Sequence, residues 1–149
     1  MTAAPRILRA LPRGVRDRLM ELAHEVSFPQ DARIFEEGGA AREFWIIRSG
    51  AVTLDLQLAD RRAATVATLG PGDLLGWSWL FPPYEWDFGA EALSPVRAYA
   101  FDGDEVRALC EEDTALGVVV MRTVAEILAQ RLQASRTRLL ELSPPYTTA

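Results

Sequence analysis

Two side chains that most often carry chemistry are nearly missing from this 149-residue chain, which has one histidine, His24, and one cysteine, Cys110. A metal centre on a small β domain takes several imidazoles and carboxylates, so no metal site and no cofactor are expected. Cys110 follows Leu109 and precedes Glu111 and Glu112. Neighbouring carboxylates raise a thiol pKa, which argues against a nucleophile, and one cysteine cannot form an internal disulfide framework. His24 reads as a surface or capping group that closes an N-terminal helix. No catalytic residues are assigned, and an enzyme is the function class with the weakest case.

What the chain concentrates instead is flat rings. Trp77, Trp79, Phe81, Tyr84, Trp86 and Phe88 fall within Leu69 to Phe88, and they include three of the four tryptophans. Rings at this density fill a core, line a pocket or meet a partner. The stretch opens on Pro71-Gly72, where proline presets φ and glycine supplies the positive φ of a type II turn. Between Gly70 and Val96 there is no Arg or Lys, whereas Asp73, Glu85, Asp87 and Glu91 are acidic. This segment therefore brings no counter-charge for an anion.

The composition sets the frame around those rings. A hydrophobic fraction of 49% can build a real core over one domain, residues 1–149. The net charge of −5 and pI near 4.9 speak against bulk attraction to nucleic acid or anionic membranes. All sixteen basic residues are Arg, with no Lys and no Asn, which reads as a coding bias. Met1 to Leu11 lacks the apolar run of a signal peptide and no stretch approaches a membrane span, so a cytoplasmic protein is expected.

The elements that must position the rings follow from periodicity. Leu11, Val15, Leu19, Leu22 and Ala23 predict an amphipathic helix over Pro12 to Ala23, within an N-terminal helical segment, 1–24. Its arginines, Arg6 to Arg18, read as a solvated face. Strands are predicted at Arg33 to Phe35, Glu43 to Arg48, Ala51 to Leu58, Ala64 to Leu69, Ala90 to Leu93 and Val96 to Phe101. In the third of these, Val52, Leu54, Leu56 and Leu58 alternate with polar residues, the mark of one face inward and one in water. Seven or eight short antiparallel strands over 25–101 argue for a small jelly-roll barrel. Asp102 with Glu105 three residues on is a capping box that starts a short helix.

A second helix is predicted from Thr114 to Leu142, stopped by Ser143-Pro144-Pro145 ahead of a tail, 144–149. At ~1.5 Å per residue it spans about 43 Å, more than one small barrel can cover. Val118, Met121, Ala125, Leu128, Leu132, Ser135, Leu139 and Leu142 keep an alternating spacing of three and four, a coiled-coil seam. A second stripe, Leu116, Val120, Val124 and Ile127, occupies the first half alone. The first half is expected to pack on its own barrel. The seam is expected to meet a second copy, making a parallel homodimer.

Barrel, short helix and long seam helix together resemble the cyclic nucleotide-binding domain of the Crp/Fnr superfamily. The resemblance rests on Phe35-Glu36-Glu37-Gly38 with Phe44 to Val52, on Leu69 to Gly76, and on Ala92 to Asp102. It implies a mainly β fold with flanking helices, a cupin-like jelly roll with a long C-terminal dimerisation helix. In that family a Glu follows the cassette glycine and accepts a ribose hydroxyl, and a later Pro-Arg pair meets the cyclic phosphate. Here Trp77 follows Gly76, and the Pro-Arg positions align with Glu85 and Trp86. Losing a bidentate guanidinium costs on the order of 2–5 kcal/mol, a weakening well over tenfold. Backbone amides near Ser78 offer partial compensation, and a route back is Arg48 or Arg97 facing the pocket.

Two readings of the tryptophans stay open. In the favoured one Trp77 and Trp86 fill the space a nucleotide would take. In the other, Gly76, Trp77, Ser78, Trp79, Trp86, Asp87 and Arg97 border an aromatic box for a flat or apolar ligand, with Ser135 and Arg136 as a polar lid. The resemblance aligns those last two with helix positions that meet the base. The family's transcription factors continue into a helix-turn-helix, whereas this chain reaches Ala149 after Pro144-Pro145-Tyr146, so direct DNA binding is not expected. The expected function is a dimeric, non-catalytic regulatory or assembly module that acts through a protein partner and does not bind cyclic AMP in the usual way. The alternatives are a cyclic AMP sensor with a rebuilt phosphate site and an accessory subunit of a larger enzyme complex.

Overall fold

The computed structural model describes residues 7–142; Ser143, the tail 144–149 and Arg6 lie outside the described residues. The chain starts with a helical turn, α1 (Ile7–Ala10), and α2 (Arg13–Met20). Pro12 stands at the N-cap of α2, so the helix begins one residue later than predicted and stops three residues sooner. Its last turn closes through Leu22 and Ala23 amides donating to the Leu19 and Met20 carbonyls. His24 then opens a strand rather than closing the helix. β1 (His24–Phe28) pairs with Val96 to Ala100, and its exposed and half-exposed side chains explain why no periodicity announced it.

Seven further strands follow: β2 (Arg33–Phe35), β3 (Glu43–Ser49), β4 (Val52–Gln57), β5 (Ala63–Leu69), β6 (Leu74–Leu75), β7 (Gly89–Ala92) and β8 (Val96–Asp102). They form two antiparallel four-stranded sheets, β1-β8-β3-β6 and β2-β7-β4-β5, the jelly roll expected from the strand spacing. β3 is the strand both cores share. Trp45 and Ile47 point between the sheets among Val52, Leu75, Trp86 and Val96. Phe44 and Ile46 point the other way, onto the helices, among Trp79, Phe101, Val106 and Val124. Burial on both faces is why Phe-Trp-Ile-Ile reads as a continuous apolar run.

β4 departs from its alternation. A bulge between Leu54 and Asp55 shifts the register against β5, turning Asp55 inward while Leu56 and Leu58 become exposed. Asp55 is held there by Arg33, whose two terminal nitrogens donate to the carboxylate at 2.6 and 3.1 Å. That bidentate bond raises the Arg33 pKa above its ordinary value, against the opposing effect of burial.

The helices close one side of the barrel. Asp102 caps α3 (Gly103–Glu112), its carboxylate accepting the Asp104 and Glu105 amides at 2.8 and 3.2 Å, as the capping box predicted. α4 (Thr114–Leu142) has the bounds expected from sequence, and its first turn is capped by Asp113, which accepts the Leu116 amide. Leu116, Val120, Val124 and Ile127 are buried against the barrel side with Ile7, Leu11 and Leu19. Beyond Ile127 no residue of α4 is fully buried, and Leu132 and Leu142 are 71% and 74% exposed.

Candidate functional site

The segment between β6 and β7 is the only run of the barrel that leaves the sheets for long, and the packing of its rings decides what remains accessible. After the turn at Pro71-Gly72, where Gly72 has φ +88° as expected, β6 delivers Gly76 at φ +94°. A Cβ on Gly76 would lie 2.8 Å from two carbons of the Trp86 indole, so the ring covers this glycine directly. Trp86 is buried and stacks on Phe35 with centroids 3.9 Å apart. It belongs to the inter-sheet core.

The one-turn 3-10 helix Ser78–Leu80 sinks in the opposite direction. Trp79 is 1% exposed, stacks on Phe44 at 4.5 Å and donates its indole N–H to the Gly76 carbonyl. Ser78 is buried as well. Trp77 instead stands half-buried at the cleft beside α4, edge-on to Phe88 at 4.9 Å.

That cleft has a volume of about 490 Å³ and lies between the β4–β5 hairpin and the second half of α4. Leu54, Val66, Ala67 and Leu69 make one apolar wall, Trp77 and Phe88 the end, and Asp73 stands at the turn. The helix wall carries Leu128, Arg131, Leu132, Ala134, Ser135 and Arg138. A volume in the range of small-molecule sites, mostly apolar with a few polar groups, is what a ligand cavity looks like.

Arg131 is the least expected member. Its guanidinium lies over the Trp77 ring, 5.2 Å from the centroid, and Nη2 donates to the Leu74 carbonyl. Nη1 is buried and has no hydrogen-bond partner among the described residues. Burial pushes the Arg131 pKa down to about 10, and the field of Asp73 partly opposes this.

Of the residues anticipated at a ligand, the cleft brings together Trp77 and Ser135. Gly76 lies under Trp86, Trp79 packs in the helix-side core, Ser78 is buried outside the cleft lining, and Asp87 is exposed. Neither proposed rescue arginine reaches the cleft. Arg97 is exposed on β8 between inward Val96 and Ala98, and Arg48 pairs with Glu25 and covers Tyr99 on the outside of the barrel. Arg136 does not line the cleft; Arg138 does. Arg131 and Arg138 were missed. The signal for them was present: they continue the stripe Leu116, Val120, Val124, Ile127 by steps of four and seven. Leu128, Leu132 and Ser135, assigned to a dimer seam, also border the cleft.

Among the described residues no cluster of three or more His, Cys, Asp or Glu could hold a metal, and no helix is long and apolar enough to cross a membrane. Burial, then Asp113 and Glu111, pushes the Cys110 thiol up, away from nucleophilic range.

Comparison with known proteins gives the family of the chain. The family pattern of the cyclic nucleotide-binding domain matches residues 25–113. The chain belongs to the cyclic nucleotide-binding domain family. It is 28% identical over 117 residues to a CRP-like cAMP-activated global transcriptional regulator of Mycobacterium tuberculosis, covering 78% of this chain and 50% of that protein. It is 31% identical over 120 residues to the cyclic AMP receptor protein of Thermus thermophilus, covering 78% and 52%. The chain thus spans about half the length of both regulators. Among solved structures, a cyclic nucleotide-binding domain from Methylobacillus flagellatus aligns with TM-score 0.84 at 18% identity over 96% of this chain and 85% of that one. The Thermus thermophilus catabolite activator protein aligns with TM-score 0.76 at 25% identity, over 93% and 63%.

Proposed function

We propose that this cyclic nucleotide-binding-type domain is a non-catalytic regulatory module of the cytoplasm, working as a parallel homodimer through α4 and signalling to a protein partner. Its pocket does not take cyclic AMP in the usual way. The observation that carries this reading is the cassette itself. Trp86 seals Gly76, no arginine lies between Gly70 and Val96, and both Arg48 and Arg97 are on the outer surface. A cyclic phosphate docked against Gly76 would find no charge-assisted partner from the cassette segment itself. The two-chain part is supported by Val118, Met121, Leu132 and Leu142, large apolar side chains 41–74% exposed along one long helix.

Calorimetry with cyclic AMP and cyclic GMP tests the first part, with no binding at micromolar concentration as the expected result. Light scattering tests the second. The chain is expected as a dimer, and Met121→Glu with Leu142→Glu, both away from the cleft, as a monomer. A second reading, a cyclic nucleotide sensor with a rebuilt phosphate site, is favoured by one observation: a guanidinium on the helix wall of the cleft. Micromolar affinity for cyclic AMP decides in its favour.

A further inference from the structure

The helix wall of the cleft holds a cation that its own protein does not satisfy. A guanidinium carries five N–H donors, and a charge taken out of water is costly unless those donors are matched. For Arg131 the matched groups are one carbonyl, that of Leu74, and the face of Trp77. Nη1 is enclosed with nothing to donate to among the described residues. Asp73 is the carboxylate nearest in effect, yet its Oδ2 accepts the Gly70 amide at 2.8 Å and makes no ion pair with Arg131. An arginine retained in such a place for fold stability alone would be replaced to advantage by an apolar chain of similar length, which could equally cover Trp77.

The surroundings say what would complete it. Beside the guanidinium lie Trp77 and Phe88, two rings meeting edge to face, and an apolar wall of Leu54, Val66 and Ala67. A ligand fitting this cleft has a flat apolar body for the rings and one anionic group for Arg131, with the Ser135 hydroxyl one helical turn further on. Arg138, two turns along the same face, adds positive potential at the mouth.

We propose that Arg131 is the anion anchor of this cleft, and that the cleft binds a small organic acid with a flat ring by a guanidinium on α4. This rests on the reading of a pocket that has lost its cassette charge and gives that pocket a ligand class. Since the anchor sits on the helix that carries the exposed seam, an arriving anion bears directly on the element that meets a second copy.

The test uses the full chain and an isosteric probe pair, naphthalene-2-carboxylate and its neutral carboxamide, titrated by calorimetry into wild type, Arg131→Met and Arg131→Lys. Wild type is expected to prefer the carboxylate by about tenfold or more. Arg131→Met is expected to bring that ratio to about one with carboxamide affinity unchanged, and Arg131→Lys to keep part of it. Thermal melting of Arg131→Met no lower than wild type excludes loss of a mere structural pin.

Equal binding of both probes to wild type, no binding of either, or a preference that survives Arg131→Met overturns the proposal. A dimer that dissociates in Arg131→Met overturns it too, by making a second copy the missing partner. Cyclic AMP run in parallel separates the two claims. Micromolar cyclic AMP binding lost in Arg131→Met upholds the anchor, with a phosphate as the anion, and overturns the reading of a pocket closed to cyclic nucleotides. Cyclic AMP binding that survives Arg131→Met overturns both.

Discussion

The two regions that meet at one end of the cleft, the ring-rich loop and the second half of α4, have opposite characters. The loop from Gly76 to Phe88 is rich in rings and acids; it leaves Trp77 and Phe88 at the end of the cleft and turns Trp79 and Trp86 away into the two cores. The facing half of α4 is sparsely buried, yet it carries Arg131, Ser135 and Arg138 into the same space. The loop has given its volume to packing and kept no cation. The helix has kept little packing and holds the cations. Within one fold, then, the place that stabilises and the place that recognises charge have been separated.

The largest effects should come from testing whether the loop's rings are structural. Trp79→Ala and Trp86→Ala each remove a buried indole, and each is expected to cost about 3–5 kcal/mol in chemical denaturation. Trp77→Ala is expected to cost far less in stability, while weakening neutral and anionic probes alike by removing the ring both share. If Trp86→Ala instead left stability intact and Trp77→Ala unfolded the barrel, the division between core rings and cleft ring would be reversed.

Gly76→Ala sharpens the same contrast at smaller scale. It forces an L residue to φ +94° and places a methyl 2.8 Å from the Trp86 ring, so either the backbone or the indole must move. A loss of about 1–3 kcal/mol is expected. The cleft should be spared, because Trp86 does not line it; probe affinities in the folded variant report that directly.

How far the chain could be read beforehand follows the same line. The doubly buried β3, the Asp102 cap and the full length of α4 were legible because each has a local signature: a continuous apolar run, an acid three residues before another, a sustained period. β1 was not, since its exposed side chains carry no pattern and its strand state comes from pairing with β8, some seventy residues away. The inward turn of Asp55 depends on Arg33, twenty-two residues earlier, so alternation alone misassigned Leu56 and Leu58. The Arg131 stripe was lost for a different reason. Counting only apolar residues ends the barrel-facing stripe at Ile127, although the helix continues to face the barrel side for three more turns with polar groups on it. Periodicity locates a face; it does not require that face to stay hydrophobic.

The finest discrimination concerns Arg131 in the absence of any ligand. Its pKa is lowered from the ordinary 12.5 to about 10, so between those values the unfolded chain binds a proton that the folded chain does not. Stability contributed by this group therefore rises with pH across that window, and below it the charged guanidinium opposes folding. Arg131→Met removes the penalty. At pH 7 it is expected to melt above wild type by about 3 °C, equivalent to about 1 kcal/mol for a chain of this size. The gap should narrow as pH is raised from about 9 to about 10.5, the range over which the folded wild type sheds the proton. The carboxylate preference of wild type should fade over the same interval. A structural arginine held by the Leu74 carbonyl predicts the contrary sign, a lower melting temperature in the variant at pH 7. Measuring the difference between the two proteins, rather than either curve alone, isolates the contribution of Arg131.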